Sequence, residues 1–204
     1  MMKRIFLLLL CCGVFNTMMA QNGAFGPRVS LLSNELSVSD NVNNVSSGDA
    51  EFGYQFGVFA RLGLGKSFML MPEVLFSDTQ ATITSNNTRA DLDFNQINVP
   101  VNFGIKILFL RVQAGPSFNF LTKAESDING TIQDVKDNYK SATVGYQVGV
   151  GMDLLNFLAL DLKYDGALSD INEGGAGGFS ADQRQKMLVF AVGIKLISGK
   201  NKDK

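Results

Sequence analysis

Three aspartates near the end of the chain are the residues whose type and spacing best fit chemistry. Asp161 and Asp165 stand close together, and Asp153 precedes them. Neighbouring carboxylates can act as a general acid and a general base when their environments differ. The same segment also carries Lys163, and other cations occur along the chain, so each carboxylate equally suits an ion pair inside a folded core. We favour ion pairing, and we predict no catalytic residue.

Two other motifs resemble ligand sites less well. Asp127, Asn129 and Asp134 approach the spacing of a calcium loop, but the bidentate Glu that ends such a loop is missing. The EGGAGG segment at 173–178 lacks the Lys-Ser/Thr ending of a phosphate loop. The chain contains no His, the commonest general base and a common metal ligand. We therefore predict no enzyme activity, no cofactor and no metal site.

The elements that must position these residues are β-strands. In the segment 52–65, FGYQFGVFARLGLG, an apolar side chain stands at every second position, as in a strand with two unlike faces. The apolar residues of strand four change phase near Asn95 and Gln96, where we predict a bulge or the barrel rim. The alternation and the intervening turn residues predict eight strands, at 26–35, 52–64, 67–77, 92–105, 109–121, 142–154, 157–168 and 186–197.

The N-terminal segment has the features of a secretory signal. Lys3 and Arg4 precede an apolar run that is too short to span a membrane, and small and polar residues follow it up to Ala20. Both cysteines lie in this leader, so no disulfide is expected. We predict a signal peptide at 1–20, a β-barrel domain at 21–197 and a charged periplasmic tail at 198–204.

The connections between the predicted strands alternate between short and long. The short ones are at 65–66, 106–108 and 155–156, and the polar long ones are at 36–51, 78–91, 122–141 and 169–185. A barrel that crosses a membrane sorts its connections in this way, whereas a Greek-key sandwich does not. The pattern predicts an all-β protein: an eight-stranded antiparallel up-and-down transmembrane β-barrel with its long loops outside the cell.

The charged residues of these strands fall on one face. A cation on the lipid side would cost roughly 2–4 kcal/mol at mid-membrane, so the charged face must line the interior, where opposite charges can pair. Aromatic residues near the strand ends, Phe94 among them, are predicted to lie in the membrane-interface belts. The predicted lumenal charge network comprises Arg28, Arg61, Glu73, Lys106, Arg111, Asp153, Asp161, Lys163, Asp165 and Lys195.

Three segments carry a resemblance to a known family. INVPVNFGIKI (97–107), LRVQAGPSFNFL (110–121) and VGYQVGVGMDLL (144–155), together with the MMAQN processing site, resemble the PorT-like outer-membrane β-barrel proteins and, more loosely, the small OmpA-type barrels. The resemblance implies an eight-stranded barrel located in the outer membrane. It does not imply one activity, and the namesake's link to type IX secretion and gliding is not transferred to this chain.

Three functions remain open from the sequence. We favour a monomeric, non-enzymatic barrel with a filled lumen, which contacts outer-membrane lipid and either stabilises the envelope or presents four polar loops for adhesion or for an extracellular or envelope protein partner. A narrow outer-membrane pore is the second, and a soluble secreted lipocalin-like carrier, which needs an apolar lumen, is the third. With 18 basic and 19 acidic residues the chain has no basic excess, so no nucleic-acid partner is predicted.

Overall fold

The computed structural model of the protein describes residues 23–38, 45–47, 51–85, 88–128, 131–155, 157–169 and 183–198. The predicted signal peptide, the EGGAGG segment and nearly all of the predicted tail lie outside these residues. Within the described ranges, no helix has the length and apolar character needed to cross a membrane.

Eight long strands form the wall, and three short strands extend it. The long strands are β1 (Ala24–Val38), β3 (Glu51–Gly63), β4 (Phe68–Ser85), β5 (Thr88–Ile107), β6 (Leu110–Ile128), β8 (Ala142–Leu154), β9 (Leu158–Ala167) and β10 (Gln183–Ile194). The short strands are β2 (Val45–Ser47), β7 (Thr131–Asp134) and β11 (Ile197–Ser198). A 3-10 helix, Lys136–Asn138, follows β7.

The long strands form one antiparallel meander that closes on itself. Each long strand pairs with the next, and β1 pairs with β10 from Arg28↔Gly193 to Val38↔Gln183. Closure removes the free edges that an open sheet would expose. The predicted eight-stranded antiparallel barrel is therefore confirmed.

Alternation along the strands separates an apolar outer face from a polar inner face. Phe56 and Val112 on the outer face expose 50% and 49% of their surface, whereas Arg61 and Asp161 on the inner face expose 3% and 2%. A soluble sandwich would bury the apolar set and expose the charges. The protein core thus lies inside the barrel, and the apolar belt lies outside it.

The two ends of the barrel differ in their connections. We call the end with the tight turns at 64–67 and 108–109 the short-turn end, and the opposite end the long-loop end. At the long-loop end, the prediction of loops at 78–91 and 122–141 is wrong, because β4, β5 and β6 continue there as paired strands. The β-branched Thr79 and Thr82 suit a strand although they are polar, and both are buried.

The irregularity predicted near Asn95 and Gln96 is confirmed, but the extra residue lies in the neighbouring strand. The register of β5 against β6 passes from Asn95↔Lys123 to Gln96↔Leu121, so Thr122 of β6 is the extra residue. The inward phase of β5 does not change at this point, because Phe94, Gln96 and Asn98 are all buried. Phe94 therefore points into the barrel and exposes only 2% of its surface, so its predicted place in an interface belt is wrong.

Candidate functional site

A cluster of ion pairs occupies the interior toward the short-turn end. Arg61 lies near the end of β3, Arg111 near the start of β6, and Asp153 near the end of β8, so the inward positions of these strands converge there. We call this set the ion cluster; its members are Arg28, Arg61, Glu73, Arg111, Asp153, Asp161, Lys163 and Lys195.

Asp161 is the centre of the ion cluster. Arg28 Nη2 and Arg111 Nη2 each donate to its carboxylate at 2.5 Å, and Gln113 Nε2 donates at 3.0 Å. Arg28 also donates to Glu73, whose carboxylate accepts from Lys163 Nζ at 2.9 Å and 3.1 Å. Each carboxylate therefore meets two cations, which offsets the cost of removing it from water.

Asp153 forms the outer part of the ion cluster. Its Oδ1 accepts from Arg61 Nη1 at 2.7 Å and from Arg111 Nη1 at 3.0 Å, and Lys195 Nζ lies 3.5 Å from its Oδ2. The Asp153 side chain is 30% exposed, whereas those of Arg61 and Arg111 are almost completely buried. Solvent therefore reaches the cluster from the short-turn end.

Two residues without charge shape the ion cluster. The ring of Phe59 contacts two guanidinium groups. Its centroid lies 4.7 Å from Arg28 Cζ and 5.3 Å from Arg61 Cζ. Gly151 leaves room for the pair of Arg111 and Asp161, because a Cβ at this position would lie 2.1 Å from Asp161 Oδ1. Only glycine fits there without moving the central ion pair.

On the side of the ion cluster that faces the long-loop end, amide and hydroxyl side chains fill the lumen. Asn98 donates to Asn119 at 2.6 Å, and Asn102 donates to Gln147 at 2.6 Å. Asp165 belongs to this layer, which we call the amide layer: it accepts from Ser117 Oγ and from Gln147 Nε2, each at 3.0 Å. Both of these donors are neutral, whereas Asp161 also accepts from two guanidinium groups.

An apolar cluster closes the interior at the long-loop end. Ala81, Leu92, Phe94 and Ala124 are buried together, and Leu121, Val135 and Tyr139 pack against them. We call these seven residues the apolar cap. The Phe94 and Tyr139 rings meet edge to face with centroids 5.0 Å apart. Burial raises the pKa of the Tyr139 hydroxyl to about 12.

The structure brings together most of the predicted lumenal charges. Eight of the ten form the ion cluster, and Asp165 lies in the amide layer. Lys106 is exposed near the end of β5, and it forms no ion pair with any described residue. The ten are thus not one network: Lys106 lies opposite Arg111 in the register, and it is Arg111 that pairs with Asp153 and Asp161.

The alternation places Gln113, Phe59 and Gln147 on the inward face, and they are buried there. Their contacts with the charged residues and with one another were not predicted, because alternation carries no information about which side chains meet across the lumen. Asn129 of the calcium-like motif lies outside the described residues. Among the residues that are described, no group of three or more His, Cys, Asp or Glu could hold a metal ion.

Comparison with known proteins agrees with this geometry. The family model of the outer membrane protein beta-barrel domain matches residues 19–173. No curated protein sequence matches the chain.

Three solved structures resemble the fold at low sequence identity. Ail, the attachment invasion locus protein of Yersinia pestis, has a TM-score of 0.55 at 13% identity, over 86% of this chain and 99% of that chain. Ail in complex with the heparin analogue sucrose octasulfate has a TM-score of 0.52 at 11% identity, over 86% and 99%. Neisserial surface protein A has a TM-score of 0.53 at 13% identity, over 85% and 99%. At these identities the likeness shows the fold alone.

Proposed function

The chain belongs to the family of outer membrane protein β-barrel domains, and we propose that it is a non-enzymatic barrel whose filled lumen blocks passage and whose long-loop end meets a partner outside the cell. Its location in the outer membrane argues against the soluble carrier. The narrower resemblance to PorT-like proteins remains a prediction, as does the monomeric state.

Burial of charged side chains across the lumen is the observation that carries this proposal. Arg28, Glu73 and Lys163 expose 3%, 2% and 1% of their surface although they lie in the middle of the barrel. An open aqueous pore would hydrate them. Eight strands enclose a space that side chains can fill, and the ion cluster, the amide layer and the apolar cap follow one another along it.

The orientation follows from the family and the connections. We propose that the short-turn end faces the periplasm and the long-loop end faces the exterior, with residues 1–20 removed as a signal peptide and 198–204 as a periplasmic tail. Short periplasmic turns and longer outer loops are the rule for such barrels. The extensions of β4, β5 and β6 then form an ordered surface outside the membrane.

The outward face of this extension is predominantly acidic, although Lys123 Nζ lies 2.9 Å from Glu125 Oε1. The register places Asp93 opposite Glu125 and Glu125 opposite Asp134, and in the next row it places Asp91 opposite Asp127. The Ail complex contains a heparin analogue, a polyanion. Like charge on this face would repel such a ligand. We therefore propose an envelope or extracellular partner that presents positive charge to this face.

Conductance separates this proposal from the pore alternative. The refolded protein is inserted into a planar bilayer, and the current is recorded over a range of voltages. A filled lumen predicts no stable openings. Long-lived, voltage-independent channel openings would contradict the filled lumen and favour a narrow pore instead.

A further inference from the structure

A groove lies on the outward face of the wall, along β1. It has a volume of about 310 Å³, and it is lined by outward side chains of three neighbouring strands: Val29 and Leu31 of β1, Tyr54 and Phe56 of β3, and Phe190 and Val192 of β10. In the register, Leu31 stands between Tyr54 and Phe190. An aliphatic side chain on the central strand, with an aromatic ring on each neighbouring strand, leaves a trough that runs along the central strand.

The groove opens toward the hydrocarbon of the membrane. Val29, Leu31 and Phe56 expose 59%, 66% and 50% of their surface, and they belong to the apolar face of the wall. An acyl chain that lies in the groove contacts protein atoms on three sides, whereas an acyl chain against a flat wall contacts them on one side. The groove therefore fits a hydrocarbon chain that runs along β1.

Charges of both signs stand at the end of the groove that faces the long-loop end. Glu35 of β1 lies opposite Lys186 of β10, and both side chains are exposed on the outward face. Glu35 follows Leu31 by four residues, which is roughly 13 Å along the strand. Asp78 of β4 is a second anion on this face, and its Oδ2 accepts from the Tyr54 hydroxyl at 3.2 Å. The apolar groove thus continues into a region that offers both a cation and an anion.

We propose that the groove binds one membrane lipid whose headgroup carries both a phosphate and an amine. An acyl chain lies along β1, the phosphate pairs with Lys186, and the amine pairs with Glu35. Arg184 lies two residues beyond Lys186 on the same exposed face and adds positive charge near the phosphate. A headgroup with a phosphate alone suits the site less well, because Glu35 and Asp78 repel it. The site requires an apolar wall that faces lipid, but it is independent of the filled lumen and of the partner-binding face.

Phosphatidylethanolamine is the probe, because it is a simple lipid that carries both groups. The refolded mature barrel is titrated with this lipid in micelles, and native mass spectrometry counts the bound molecules. We expect one saturable adduct for each barrel. Phosphatidylglycerol with the same acyl chains has the phosphate but no amine, and we expect it to bind about fivefold more weakly, which is the strength of one exposed ion pair. The proposal is overturned if binding does not saturate, if phosphatidylglycerol binds as tightly, or if a dimer of the barrel forms in place of the adduct.

Two variants, each with a matched control, locate the adduct. Val29→Phe fills the groove, and we expect it to abolish the saturable adduct. Val112→Phe adds the same ring to another outward position, which is 49% exposed on β6, and it should keep the adduct. Lys186→Gln should weaken the binding of phosphatidylethanolamine about fivefold, and Lys106→Gln, at the opposite end of the barrel, should not change it. Lys186→Gln suffices if Val29→Phe does not fold, because Lys186 lies outside the groove.

Equal effects within either pair of variants would overturn the lipid site. That result would leave the filled lumen untouched, since the absence of stable channel openings does not depend on a bound lipid. Conversely, channel openings in a barrel that still binds one lipid would contradict the filled lumen alone.

Discussion

The two halves of the barrel interior are stabilised by different forces. Toward the short-turn end, Asp161 and its neighbours form ion pairs in which every carboxylate pairs with at least two cations. Toward the long-loop end, Phe94 and Tyr139 pack in an apolar cap like that of a soluble domain. The same alternation of inward and outward residues thus supports both an ionic and an apolar core. The first depends on intact charge pairing, and the second on packed volume.

Removal of the central carboxylate is the strongest test of this contrast. Asp161→Ala leaves Arg28 and Arg111 without their shared partner in the interior, so we expect a loss of about 3–5 kcal/mol in the free energy of unfolding. Urea titration of the refolded barrel in lipid vesicles measures it. Asp134→Asn, an exposed carboxylate in β7, is the control and should change stability by less than about 0.5 kcal/mol. Equal effects of the two changes would mean that the ion cluster contributes no special stability.

Truncation in the apolar cap should cost somewhat less. Phe94→Ala removes the ring that packs against Tyr139, and we expect a loss of about 3 kcal/mol, at the lower end for a buried Phe because the cap borders solvent. The same urea titration applies, and the salt concentration should not change the loss. If high salt markedly reduces the loss of unfolding free energy in Phe94→Ala, the apolar cap is stabilised by electrostatic interactions and this prediction is wrong.

Alkaline pH should weaken the apolar cap through Tyr139. Burial raises the pKa of this hydroxyl from 10.0 to about 12 in the folded protein. The Tyr139 hydroxyl therefore loses its proton at a lower pH in the unfolded chain than in the folded protein. The contribution of Tyr139 to the free energy of unfolding is constant below about pH 10, and it falls by about 2 kcal/mol as the pH rises from 10 to 12. Unfolding titrations across this pH range measure the fall. Tyr139→Phe should remove that part of the pH dependence; an unchanged slope in the variant would show that other groups cause it.

The smallest effect is expected for a cation outside the ion cluster. Lys106 is exposed and pairs with no described residue, so Lys106→Met should change the free energy of unfolding by less than about 0.5 kcal/mol. The measurement sharpens the limits of the ion cluster at the short-turn end. A loss above about 2 kcal/mol would place Lys106 among its members.

Period-two alternation is a good guide to which residues face the lumen. It identifies Arg61, Asp161 and Lys163 correctly as interior residues, because a closed wall leaves each side chain only two directions. It does not reveal how far along the barrel each residue lies. Nor does it reveal which inward cation meets a carboxylate: Lys106 lies directly opposite Arg111 in the register, yet only Arg111 donates to Asp153 and Asp161, and Lys106 is exposed.

The long-loop end shows a second limit of sequence reading. The Thr-rich segment after Phe76 is polar enough to resemble a loop, yet it continues β4 because its partner β5 extends equally far. The pattern locates the register shift at Asn95 and Gln96, but it does not reveal that the extra residue lies in β6 and that Phe94 keeps the inward phase of Gln96. Tyr139 comes from a segment without periodicity, so only the three-dimensional structure places it on Phe94.

We propose that the apolar half of each strand faces lipid and that the polar half faces an enclosed lumen. The predicted mature chain has no Cys, so single cysteines from 143 to 153 along β8 can each be spin-labelled in lipid vesicles. Oxygen concentrates in the hydrocarbon of the membrane. We therefore predict that the oxygen accessibility of the spin label alternates along β8 with a period of two and peaks at Val144, Tyr146, Val148 and Val150. A profile without alternation, or with its peaks at Gly145, Gln147, Gly149 and Gly151, would contradict it.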